Sequence, residues 1–155
     1  MPLIDANPLI AFVGEIGDHQ KSAFLGGAEA LLFPIDWPEP FGLVMIEAMA
    51  CGTPVVAFRC GSTPEIVEYG KTGFLVDTVE EAVTVAGQAS LLDRKIVRAQ
   101  FELRFSASAM ARRYVTEYEA LLSPGSNLNQ TPRGPRAPVS PGPAAHRPAA
   151  TPVPT

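Results

Sequence analysis

Three short, uninterrupted apolar runs recur along the chain: ALLFPI (30–35), PVVAF (54–58) and GFLV (73–76). A fourth candidate, LIAFV (9–13), precedes them. Strands that are apolar on both sides must be buried on both sides, and those joined through helices run parallel. The expected fold is therefore α/β, a parallel sheet with helices on both faces. Asp18 is placed as the N-cap of a helix running to about Gly26, and a second helix spans about Phe41 to Cys51, with Gly52 at its C-terminal cap. Ser62-Thr-Pro-Glu65 has the pattern of a capping box with proline in the first turn, opening a short helix through Val67. Further helices are expected over 79–92, about 94–104 and 107–122. No internal repeat is visible.

Composition separates this body from the end of the chain. Nine of the 16 prolines follow Leu122, with three arginines and no acid in that stretch. The expected organisation is a domain over 1–122 and a disordered, Pro-rich tail over 123–155. The tail takes three of the 12 basic residues, so the body holds nine against 16 acids, formally −7. That balance argues against nucleic acid as a partner. Cys51 and Cys60 have neither C-x-x-C spacing nor nearby histidines, as expected of reduced thiols in a cytoplasmic protein. No basic region precedes the short N-terminal apolar stretch, and no apolar run approaches the length of a membrane span. Any membrane contact would be peripheral.

In a Rossmann-like α/β sheet, ligands bind beyond the carboxyl ends of the strands. The loop after 30–35 reads IDWPEPFG and leads into the helix that carries Glu47. A helix N-terminus offers free N–H groups to an anion, and Gly42, lacking a Cβ, permits close approach; a diphosphate fits. Glu39 lies just outside this helix and Glu47 about 9 Å further along its axis, at 1.5 Å per residue. Glu47 shares a face with Leu43, Ala50 and Cys51, so its carboxylate is expected to be partly buried and to need hydrogen-bond donors. A vicinal diol would supply two. Hydroxyls, a diphosphate and more hydroxyls describe a nucleotide sugar. Spacing alone leaves a second reading open, in which Glu39 merely favours the helix N-terminus and Glu47 pairs with an arginine.

The stretch FPIDWPEPFGLVMIEAMACGTPVVAF resembles the donor-site signature of glycosyltransferase family 4 (group 1), enzymes of the GT-B fold. GSTPEIVEYGKTGFLV is similar to the next block of that family, and ELRFSASAMARRY (102–114) echoes a later one. The resemblance covers about 9–122. It implies the donor domain of a glycosyltransferase that retains anomeric configuration without an obligatory metal or cofactor, and no Asp-x-Asp motif contradicts this. By position it implies that Glu39, the catalytic residue, contacts the donor sugar and Glu47 the ribose diol. The donor-binding set includes Phe41, and the amides near Gly42, Leu43 and Val44 would hold the diphosphate. Glu65 falls at the family's Pro-Glu position, although helix capping accounts for it equally. Gly14 to Asp18 would line the base pocket, unless Asp18 serves only as an N-cap. Trp37 would shape the sugar pocket or simply pack.

The resemblance implies two Rossmann-like domains, the first binding the acceptor and supplying a histidine. Nothing before Leu9 provides an opening strand and glycine-rich turn, or the basic residues that would neutralise a diphosphate leaving group. His19 and His146 do not stand in suitable places. These 155 residues are therefore expected to be a C-terminal, donor-binding part of a transferase, inactive alone, with sugar and acceptor unspecified. Two alternatives remain: a nucleotide-sugar-binding module without turnover, and part of another GT-B enzyme such as an epimerase or phosphorylase.

Overall fold

The computed structural model describes residues 7–122. The expected tail over 123–155 lies outside them. Three strands, β1 (Leu31–Phe33), β2 (Val55–Phe58) and β3 (Gly73–Val76), form one parallel sheet in the order β1-β2-β3. Helices intervene: α1 (Asp18–Gly27), α2 (Leu43–Ala50), the single turn α3 (Thr63–Ile66), α4 (Val79–Ala89), α5 (Arg94–Arg104) and α6 (Ala107–Leu122). Of the described residues, 7–116 belong to one compact unit, and those beyond it are the last residues of α6.

Alternation along the strands divides the core. Val55 and Ala57 of β2, with Leu75 of β3, pack beside Met45, Ala48 and Met49 of α2, Leu25 of α1 and Val97 of α5. Val56, Phe74 and Val76 point to the other face and meet Val85 and Ala89 of α4. Both faces of β2 are thus covered, as its unbroken apolar sequence requires. Burying each valine contributes about 1.5–3 kcal/mol relative to leaving it in water.

Three local expectations are corrected. Residues 9–13 form no strand, and Leu9, Ile10, Phe12 and Val13 are exposed. Asn7 captures the backbone instead: its Oδ1 accepts from Leu9 N–H and its carbonyl from Ile10 N–H, both at 3.0 Å. A local turn of this kind competes with a strand ladder. Asp18 is not the N-cap of α1; Gly17 is, and Asp18 is the first helical residue, paired with Lys21. Ser62 makes no capping bond, because its backbone is already α-helical (φ −79°, ψ −9°) where a cap needs an extended one. Thr63 organises that turn, its hydroxyl accepting from Cys60 N–H at 3.1 Å and donating to Phe58 O at 2.6 Å. A reciprocal cap does form at α4, where Thr78 Oγ1 accepts from Glu81 N–H and the Glu81 carboxylate reaches back to Asp77 N–H.

Helix ends are held from α5. The Arg94 guanidinium donates to Ala28 O and Gly26 O, both at 2.7 Å, and to Thr53 Oγ1 at 2.8 Å. Thr53 Oγ1 in turn donates to Leu25 O at 2.7 Å. Arg98 also bonds the carbonyl of Ala50. The last carbonyls of α1 and α2, which a helix leaves without partners, are thereby satisfied by one neighbour. Arg94→Ala is expected to lower unfolding free energy by about 2–3 kcal/mol, since hydrogen bonds to a charged group are lost and acceptors orphaned. Arg94→Lys should recover only part, because an ammonium lacks the planar fork. Urea denaturation decides this; a loss below about 0.5 kcal/mol for Arg94→Ala would contradict it.

Candidate functional site

Two loops meet at the carboxyl end of the sheet. One follows β1 and carries Trp37 to Phe41; the other follows β2 and carries Arg59 to Ser62. They touch through backbone: Ser62 N–H donates to Glu39 O at 3.0 Å. Gly61 lies so close that a Cβ there would sit 2.5 Å from both Glu39 N and Glu39 O. Its φ of +56° independently favours glycine. Glu39 is further fixed by its N–H to Trp37 O at 2.7 Å.

The Glu39 side chain closes the entrance to α2. Its Oε1 accepts from Gly42 N–H at 3.1 Å, while Gly42, the N-cap, takes a left-handed conformation (φ 72°). Met45 N–H returns to Gly42 O at 3.0 Å. The N–H groups of Leu43 and Val44, first and second in the helix, have no intrahelical partner. Glu39 is half-buried and Gly42 buried, while Phe41 and Leu43 are exposed and the Val44 side chain packs partly into the core. Glu39, Phe41, Gly42, Leu43 and Val44 therefore form one patch at the α2 entrance.

Glu47 faces elsewhere. It is half-buried, as expected, and its Oε1 accepts from Lys21 Nζ at 2.9 Å. Lys21 also lies 3.3 Å from Asp18 Oδ1. The partner is thus a lysine of α1, not an arginine of the core. Glu47 Oε2 has no hydrogen-bond partner among the described residues. Asp18, Lys21, Ser22 and Leu25 of α1 and Glu47, Ala50 and Cys51 surround a cavity of about 260 Å³. The hydrogen bond to Glu47, then that to Asp18, raises the Lys21 ammonium pKa above its ordinary 10.5.

Other candidates are less engaged. Trp37 is exposed, and Glu65 is exposed, its N–H donating to Ser62 O at 3.0 Å and its carbonyl accepting from Arg104. Gly14 to Gly17 form the loop before α1, next to Asp18. Cys51 and Cys60 are free and half-buried. Among the described residues no three His, Cys, Asp or Glu side chains converge as metal ligands, and no helix is long and apolar enough to cross a membrane. Lys21, Gly61 and Arg94 escaped the sequence reading because their partners lie 26 or more residues away, or, for Gly61, in another loop.

The family model for glycosyl transferases group 1 matches residues 5–105. The chain belongs to that family. Its architecture is the α/β, Rossmann-like arrangement of GT-B glycosyltransferases. A solved sucrose-phosphate synthase from Thermosynechococcus elongatus superposes with a TM-score of 0.63 at 30% identity, over 76% of this chain and 31% of that one. Anabaena HepE in complex with UDP superposes with a TM-score of 0.53 at 27% identity, over 63% and 29%. Phosphatidyl-myo-inositol mannosyltransferase of Mycobacterium leprae is 29% identical over 77% of this chain and 34% of its own length. The chain spans about a third of the length of the curated relatives it matches.

Two outcomes follow for the site. Gly61→Ala should force Glu39 away and lower stability by about 1–3 kcal/mol, the cost of a strained backbone position; an unchanged urea midpoint would show that the loops are not in contact. Because the folded pKa of Lys21 is raised, its pairing stabilises fully below pH 10.5 and is lost as pH climbs through the raised value. Wild type should therefore lose more stability between pH 9 and pH 11.5 than Lys21→Met does, and equal losses would contradict the pairing.

Proposed function

We propose that the chain supplies the donor-binding half of a retaining glycosyl transfer from a nucleotide sugar, in the cytoplasm, with no obligatory metal or cofactor. The acceptor is bound elsewhere. One observation carries the reading: the N–H groups of Leu43 and Val44, without intrahelical partners, open at the carboxyl end of a parallel strand beside Glu39, and Glu39 and Glu47 each keep one carboxylate oxygen without a partner among the described residues. The helix entrance suits a diphosphate. Glu47 Oε2 is available to the ribose diol, and Glu39 Oε2 to a hydroxyl of the donor sugar. The exposed Phe41 ring flanks that sugar. The UDP held by Anabaena HepE and the similarity to a mannosyltransferase support a nucleotide sugar as the donor class.

In such a transfer the bond between the anomeric carbon and the diphosphate oxygen breaks, and the acceptor hydroxyl oxygen bonds to the same face of the sugar while its proton passes to the departing diphosphate. Negative charge grows on the departing diphosphate. The Leu43 and Val44 N–H groups would donate to that charge as it develops, which is how fixed donors lower a barrier. Glu39 orients the sugar; its Oε1, held by Gly42 N–H, keeps the carboxylate at the helix entrance.

Calorimetry with UDP and UDP-glucose separates the two carboxylates. Glu47→Ala should weaken both ligands alike, by about 1.5–3 kcal/mol. Glu39→Ala should leave UDP binding nearly unchanged and weaken UDP-glucose. Equal weakening of UDP by both substitutions would sink the assignment, and unfolding of Glu47→Ala would instead mark a structural glutamate.

A further inference from the structure

Glu47 and Lys21 meet at 2.9 Å across two helices, and both side chains keep about a third of their surface open, 36% and 35%. A salt bridge this exposed contributes little to stability on its own. Its geometry nevertheless has a consequence for any ligand. A carboxylate on a free side chain samples several rotamers, whereas Glu47 is tied at one oxygen and open at the other. Lys21 also lies 3.3 Å from Asp18 Oδ1, an i,i+3 neighbour on α1. The cavity of about 260 Å³ beside the pair is lined by all three charged residues, so Glu47 borders space that a ligand can occupy.

We infer that Lys21 is a positioning residue for nucleotide recognition: by anchoring Glu47 Oε1 it aims Oε2 at the ribose, so that Lys21 governs discrimination between ribose and 2′-deoxyribose ligands without touching them. This rests on the reading of Glu47 as the ribose ligand. A hydrogen bond from a hydroxyl to an ionised carboxylate depends on alignment as well as distance, and a carboxylate that must be ordered on binding loses part of what the contact gains. Lys21 is a donor only, so it cannot itself replace Glu47 as acceptor.

The probes are UDP and 2′-deoxy-UDP, titrated calorimetrically against the 155-residue chain. Wild type should prefer UDP by about ten-fold or more, the equivalent of one hydrogen bond to a charged acceptor. Glu47→Ala should reduce that ratio to near one. Lys21→Met should also reduce it, to below about three-fold, chiefly by weakening UDP, and Lys21→Arg should restore it because Arg can reach the same oxygen. A general loss of folding would weaken both nucleotides together and leave the ratio unchanged, so the ratio reports positioning alone. If Glu47→Ala abolishes discrimination and Lys21→Met does not, the inference is wrong while the donor-site reading stands. If wild type does not discriminate, or Glu47→Ala does not alter the ratio, the reading of Glu47 fails and the inference falls with it.

Discussion

The position of the candidate site depends on how α1 and α2 are held side by side. Neither helix has strong internal reasons to keep its register. α2 is eight residues long, and α1 carries only one buried side chain, Leu25. The common anchor is Arg94, whose planar guanidinium bonds the carbonyls of Gly26 in the last turn of α1 and of Ala28 just after it, and the hydroxyl of Thr53 after α2. A single cation satisfying acceptors from two helix ends fixes their relative height. Lys21, in the first half of α1, and Glu47, in the second half of α2, come within hydrogen-bond distance across the two helices.

The entrance of α2 is fixed differently, by backbone against backbone. Gly61 admits the Glu39 peptide at a distance no Cβ would tolerate, and Ser62 N–H bonds the Glu39 carbonyl. The loop after β2 therefore supports the loop after β1, and both depend on the parallel β1–β2 ladder from Leu31 with Val55 to Phe33 with Ala57. The two glutamates thus have different settings. Glu39 belongs to a rigid turn and caps Gly42, whereas Glu47 belongs to a helix face and is placed through a side-chain pair. Backbone support of one carboxylate and side-chain support of the other suit the two tasks proposed for them, sugar orientation and ribose recognition.

Much of this was legible from the residues. The three apolar runs became β1, β2 and β3, and the expected helix bounds hold to within about three residues, the usual scatter of helix ends. Gly52 does follow α2, with φ of 75°. The family resemblance, and the grouping of Glu39, Phe41, Gly42, Leu43 and Val44, also came from a contiguous stretch. What failed was local: LIAFV formed no strand, and the Ser62 and Asp18 caps were misplaced. A strand exists only through a neighbour's hydrogen bonds, and a cap only through one backbone dihedral pair, neither of which composition specifies.

By itself, then, the sequence determined the elements, their parallel class, the family and the helix entrance, because each rests on periodicity or on residues adjacent in the chain. Only the tertiary structure decided which cation faces Glu47, that Gly61 seats the Glu39 backbone, and that Arg94 joins the ends of α1 and α2. Those contacts join residues far apart in the chain or in separate loops, and lysine, glycine and arginine carry no local signal of a distant partner. Chain folding brings them within the roughly 3 Å over which a hydrogen bond acts.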